Sequence, residues 1–222
     1  MGAVVGDILP LALGIAISPI PVIAAILMLL SPQAKGTSIG FLLGWILGIV
    51  VVLGAFILLA SVVTPADPDQ PQPVAGVVKL LLGALMLFLA VKQWRSRPSG
   101  DQEPALLTEA LAPTFTAAKG LGLGFLLSAV NPKNLLMGAG AGVTIGSADL
   151  APGATATTVV VFTAIAAASV AIPVVGYLLA SQAMAAPLRA LRVWLLHNNA
   201  TVMAVLLLLI GVTLLGKGLG SF

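Results

Sequence analysis

Six apolar runs, at roughly 7–30, 37–63, 74–94, 120–146, 154–180 and 200–220, dominate this chain. A helix needs about 20 apolar residues to cross about 30 Å of hydrocarbon, so each run is long enough to span a bilayer. Strict alternation of polar and apolar residues, the mark of a membrane barrel, is absent from all six. The 222 residues are 59% hydrophobic and 8% charged, with ten basic and seven acidic side chains, too few charges to clothe a soluble globule. The reading is therefore an all-α integral membrane protein with six transmembrane helices. The first run carries Asp7 and no Lys or Arg at its start, and it extends well past the length of a secretory signal core, so it is expected to stay in the mature chain.

Charge fixes the expected orientation. Lys35, then Lys92, Arg95, Arg97 and Lys119, then Arg189 and Arg192, follow the first, third and fifth runs; Asp67, Asp69 and Asp149, without any Lys or Arg, follow the second and fourth. By the positive-inside rule the basic loops are cytoplasmic and both termini lie outside. The net charge of +3 is thus an orientation signal, and nucleic acid is not expected as a partner. Trp94 and Trp194 sit beside basic residues at the cytoplasmic interface, where amphipathic rings belong. Residues 184–195 carry Met184, Leu188, Leu191 and Leu195 on one helical face, which suits a short interfacial helix or a cytoplasmic extension of the last span.

Polar, proline-containing residues 95–119 divide the chain into a first three-helix half, 1–94, and a second, 120–222. Three crossings reverse direction, so a repeat of this kind is inverted in the membrane. Each half begins with a broken helix: Ser18-Pro19-Ile20-Pro21 lies about eleven residues into the first run, and Asn131-Pro132-Lys133-Asn134 at the matching depth of the fourth. Proline lacks an amide donor and frees the carbonyl four residues earlier, here those of Ile15, Ile17 and Ser128, and of Ser169 before Pro173. Matched breaks in inverted halves point to the central site of a transporter, where unwound backbone meets a polar cargo; two packing kinks without cargo are the plainer alternative.

Lys133 is the sharpest residue in this pattern. An ammonium at mid-span costs about 2.5–3.5 kcal/mol to insert, and no Asp or Glu lies at comparable depth in any run. Its offset must come from freed carbonyls, a water-filled cavity, loss of the proton or an anion brought by the cargo. A cargo anion about 4 Å away at an effective dielectric near 20 returns about 4 kcal/mol, which matches the cost. Lys133 is accordingly the expected counter-ion of an anionic cargo, with a structural lysine held by Asn131, Asn134 or loose carbonyls as the alternative. The expected substrate-binding set is Lys133, Asn131, Asn134 and Ser18, with Pro19, Pro21 and Pro132 holding the backbone open.

Glycines recur every four residues at Gly36, Gly40, Gly44 and Gly48, at Gly138, Gly142 and Gly146, and at Gly216 and Gly220. Such faces permit close helix packing, within one chain or across a homodimer. There is no cysteine and a single histidine, His197, which excludes thiol chemistry and leaves no metal-binding cluster at usual spacings; no cofactor is implied. No Ser/His/Asp set or carboxylate pair lies at membrane depth, so an enzyme is not expected.

At Ser18-Pro19-Ile20-Pro21 and Asn131-Pro132-Lys133 the chain resembles the LysE superfamily of small six-helix exporters. Ile20 stands where its amino-acid exporters usually carry glycine, and the Ala/Gly/Val-rich spans look more like the GAP branch, the peptidoglycolipid-addressing proteins. What the resemblance implies is movement of a surface glycolipid or lipid precursor across the plasma membrane; with Lys133 and the two breaks, the reading is an exporter of an anionic (glyco)lipid or lipid precursor that works by alternating access around a midplane site. Export of a small zwitterionic metabolite such as an amino acid, and a non-transporting scaffold of a lipid-export complex, are the alternatives.

Overall fold

The computed structural model describes residues 1–62, 73–97 and 116–220. All its regular structure there is helical: α1 (Gly2–Ala16), α2 (Pro19–Leu29), α3 (Ala34–Val62), α4 (Pro73–Arg95), α5 (Ala117–Ala129), α6 (Pro132–Gly146), α7 (Pro152–Leu179) and α8 (Ser181–Leu219). The loop with Asp67 and Asp69, and most of the linker expected at 95–119, fall outside the described residues.

Among the described residues three helices, α3, α7 and α8, are long and apolar enough to cross a membrane, and α1 with α2, bent by 52°, makes a fourth. Only 33% of the most apolar stretch of α3 or α7 is covered by the rest of the chain, and Leu58, Val160 and Ile172 project outward at 69%, 65% and 68% exposure. A water-soluble protein does not present such surface, so the chain is a membrane protein. At 13 and 15 residues, α5 and α6 are each too short to cross about 30 Å alone.

Both breaks fall where the prolines stand. Ser18 is extended (φ −126°, ψ 98°) between α1 and α2, and Asn131 (φ −63°, ψ 119°) between α5 and α6; each is followed by a proline in the first helical position, where a missing N–H is harmless. Pro10 and Pro173 lie inside α1 and α7 without ending them.

Helices α1, α2, α3, α5, α6, α7 and the start of α8 as far as Trp194 form one compact unit. Its centre is a glycine seam. Gly40 lies against the Ala117 carbonyl, Gly44 against that of Leu121 and Gly48 against Ser128, while Gly120 and Gly124 of α5 lie against the carbonyls of Thr37 and Phe41. The seam continues into α6, where Gly138 meets Val52, Gly142 meets Phe56 and Gly146 meets Ala60. Residue numbers rise together along both helices, so α3 runs parallel to α5 and α6. Against α1 the order is reversed: Leu11 reaches Gly140 and Gly14 meets Met137, so α1 and α6 are antiparallel. Phe41 and Trp45, stacked at 6.5 Å between ring centroids and fully buried, fill the space beside the seam.

The second unit contains α4 and α8 from Leu195 onward. Gly83 and Gly211 bring these two helices together, flanked by Leu87, Leu215 and the pair Leu80 and Gly218. At the end of α4 the Arg97 guanidinium lies over the Trp94 ring, 3.4 Å from its centroid, and its Nε donates to the Trp94 carbonyl at 2.8 Å.

Of the two readings of residues 184–195, the structure has the extension of the last span. Residues 184–195 and the last span belong to one continuous 39-residue helix. With no glycine or proline between Leu188 and Ile210, nothing in the chain stops it.

Candidate functional site

The end of α1 leaves three carbonyls without their helical donors. Pro19 and Pro21 have no N–H to give to Ile15 and Ile17, and the Ser18 N–H turns back to the Ala16 carbonyl at 2.9 Å, leaving that of Gly14 open. Side chains fill all three places. Ser18 Oγ donates to the Ile15 carbonyl at 2.7 Å, and Lys133 Nζ donates to the Gly14 carbonyl at 2.6 Å and to that of Ile17 at 3.1 Å. The third ammonium hydrogen goes to Ser18 Oγ at 2.6 Å. Because the Ser18 hydroxyl proton is committed to Ile15, its lone pairs face the lysine.

Lys133 therefore reaches from the second break into the first, across more than a hundred residues of sequence. It is only 6% exposed, and Ser18 only 4%. Its backbone sits in the first turn of α6, and its charge sits at the carboxyl end of α1, where carbonyl dipoles favour a cation. All three partners are neutral oxygens, which satisfy its hydrogen bonds without supplying a full counter-charge. The two acids among the described residues, Asp7 and Asp149, are both exposed.

The second break is held by its own asparagines. Asn131 Oδ1 accepts from the Lys133 N–H at 3.0 Å and so caps α6. Asn134 Nδ2 donates to the Leu127 carbonyl at 3.2 Å, and its Oδ1 is buried without a partner. Asn131→Ala removes the cap without touching the lysine side chain. It is expected to cost about 1 kcal/mol in thermal or denaturant unfolding of the purified protein, with Asn131→Ser restoring most of the loss.

Of the seven residues singled out in the sequence, Ser18 and Lys133 meet directly, Pro19 and Pro21 act through the donors they lack, and Asn131 and Asn134 brace the break that presents the lysine. Pro132 starts α6 and is exposed. Gly14 was not foreseen. Its carbonyl is freed by the turn at Ser18, which proline counting does not register, and its lack of a side chain lets Met137 pack against α1 one turn beyond Lys133.

Two interrupted helices, running in opposite directions and joined at their breaks by a buried lysine, define a helical membrane protein with a polar centre. The family model described as Sap, sulfolipid-1-addressing protein, matches residues 8–220, which include both breaks, and the chain belongs to that family. Neither the curated proteins nor the solved structures provided a match.

Proposed function

We propose that this protein exports an anionic lipid across the plasma membrane, with Lys133 receiving the charged head group at the crossing of the two breaks. The carrying observation is a buried ammonium whose hydrogen bonds are met by three neutral oxygens and which pairs with no carboxylate among the described residues. An anion about 4 Å away returns about 4 kcal/mol at an effective dielectric near 20, more than neutral acceptors supply by charge alone. A sulfated head group, the chemistry in the family's description, meets this need. Ile17, Ile20, Val130 and Pro132 beside the breaks are exposed, which favours a cargo approaching sideways from the bilayer with its acyl chains left in lipid. A tail-less amino acid would call for an enclosed, water-lined cavity.

Chain direction within the first unit supports six crossings: α3 and the α5–α6 pair run parallel, as an odd number of crossings between them requires. α1 and α6, running antiparallel, then belong to inverted halves, each a broken pair followed by a long helix of 29 residues in α3 or 28 in α7. The charge bias places both termini outside. In this reading Lys133 ties the second half to the first while no cargo is bound. The head group competes for the ammonium, and its capture lets the halves rock around the site.

Reconstituted liposomes test this directly. A fluorescent lipid with a sulfated head group is expected to cross the bilayer in proteoliposomes at least tenfold faster than in empty vesicles, while labelled amino acids do not move. Amino-acid flux with a stationary lipid would replace the cargo; a folded protein that moves neither would point to the scaffold role.

A further inference from the structure

The oxygens that hold Lys133 form a cation cradle in their own right. Gly14 O, Ile17 O and Ser18 Oγ converge on a single point at 2.6, 3.1 and 2.6 Å, and that point already holds a positive charge. Two of the three are backbone carbonyls at the carboxyl end of an interrupted helix, the groups with which broken transporter helices coordinate monovalent ions. The break is fixed by Pro19 and Pro21, and the orientation of Ser18 Oγ by its own bond to the Ile15 carbonyl.

Resting on the exporter reading, a second step follows. An ammonium that turns toward a head group takes its three donors with it, and buried oxygens stripped of their donors are costly. No other described side chain is placed to replace it at all three oxygens; Asn134 Nδ2 is engaged at Leu127. We infer that Gly14 O, Ile17 O and Ser18 Oγ form a monovalent-cation site, filled by the Lys133 ammonium in this state and by a potassium-sized ion when Lys133 engages an anion. Ammonium and potassium are close in size, so the exchange needs little rearrangement. The neutral ligand set selects single charge, since divalent ions draw on carboxylates. One cation then accompanies each anion, and the pair crosses without net charge.

The test uses the full chain in nanodiscs of neutral lipid. Lys133→Met keeps the apolar stem and removes the ammonium, leaving the cradle open. At constant chloride, replacing choline with potassium is expected to raise the unfolding midpoint of Lys133→Met saturably, as binding to the folded state requires, and to leave wild type unchanged. Adding Ser18→Ala to Lys133→Met removes one ligand and is expected to weaken the apparent potassium affinity about tenfold. A folded Lys133→Met no more responsive to potassium than wild type overturns the inference. Should that variant fail to fold in either salt, wild-type flux of the sulfated lipid decides. A drop of at least about tenfold with choline on both sides supports the site, and equal flux in the two salts overturns it while the exporter reading stands. A saturable potassium response in a chain that moves no sulfated lipid supports the cradle and removes the exporter reading instead.

Discussion

Gly44→Val is expected to abolish folding of the first unit. Gly44 faces the Leu121 carbonyl and the Phe125 N–H group, so a side chain there meets backbone on the opposing helix, which cannot rotate away. Its neighbours Gly40, Gly120 and Gly124 are in the same position, so sliding one helix along the other only transfers the overlap. Overpacking against flexible side chains costs about 1–3 kcal/mol, and a side chain driven into fixed backbone lies at or above the upper end. Against a total stability of about 5–15 kcal/mol, the added loss of the surrounding seam leaves little folded protein. Size-exclusion profile and unfolding midpoint in mild detergent measure this. Gly122, on the same helix with nothing within 4 Å of where a side chain would start, is the control. Gly122→Ala is expected to gain about 0.5–1 kcal/mol from helix propensity. A well-folded Gly44→Val, or equal damage from both variants, would show that the seam does not depend on backbone approach.

Lys133→Ala is expected to reduce flux of the sulfated lipid at least about 100-fold, since about 4 kcal/mol of head-group attraction disappears. Stability changes less. The Gly14 and Ile17 carbonyls and Ser18 Oγ lose the lysine as donor, at about 1–3 kcal/mol each, while the insertion cost of about 2.5–3.5 kcal/mol is removed, leaving a net loss of about 3 kcal/mol. Lys133→Arg keeps the charge but brings a planar fork to a pyramidal set of acceptors, so intermediate flux is expected. Transport must be normalised to folded protein in the membrane. Unchanged flux per folded Lys133→Ala molecule would remove the lysine from the cargo path and leave it as a structural tie between the halves.

The breaks and their chemistry were open to a reader of the sequence because proline acts locally. Ser18 and Asn131 leave the helix immediately before a proline, and the Ile15 and Ile17 carbonyls accept the side-chain donors that such a gap demands. What took the lysine's donors was open in kind and closed in detail. The sequence allows freed carbonyls as the offset for Lys133, but which carbonyls depends on α1 and α6 running antiparallel with their breaks in register, a long-range fact without a local signature. Gly14 illustrates the gap: only the path of the Ser18 N–H exposes its carbonyl. The glycine faces had two readings, and α3 with α6 follows the intrachain one, each meeting helices of the same chain. Four-residue spacing marks a surface made for close approach but carries no information about whose backbone approaches it. For α8, periodicity alone leaves a separate helix and an extension of the last span both open, and the lack of a stop signal between Leu188 and Ile210 joins them.

The parallel seam also sets a timetable for synthesis. Gly48 of α3 leaves the ribosome roughly 80 residues ahead of Phe125, its partner on α5, a delay on the order of 4–16 s at about 5–20 residues per second. During that wait the flat glycine stripe of α3 stands in the bilayer uncovered, with α4 made before its true partner. A stripe of this kind suits pairing with any other small-faced helix nearby. Until α5 arrives, the half-built seam is the part of this chain most open to the wrong neighbour, so crowding at the insertion site is expected to show first as misassembled chains.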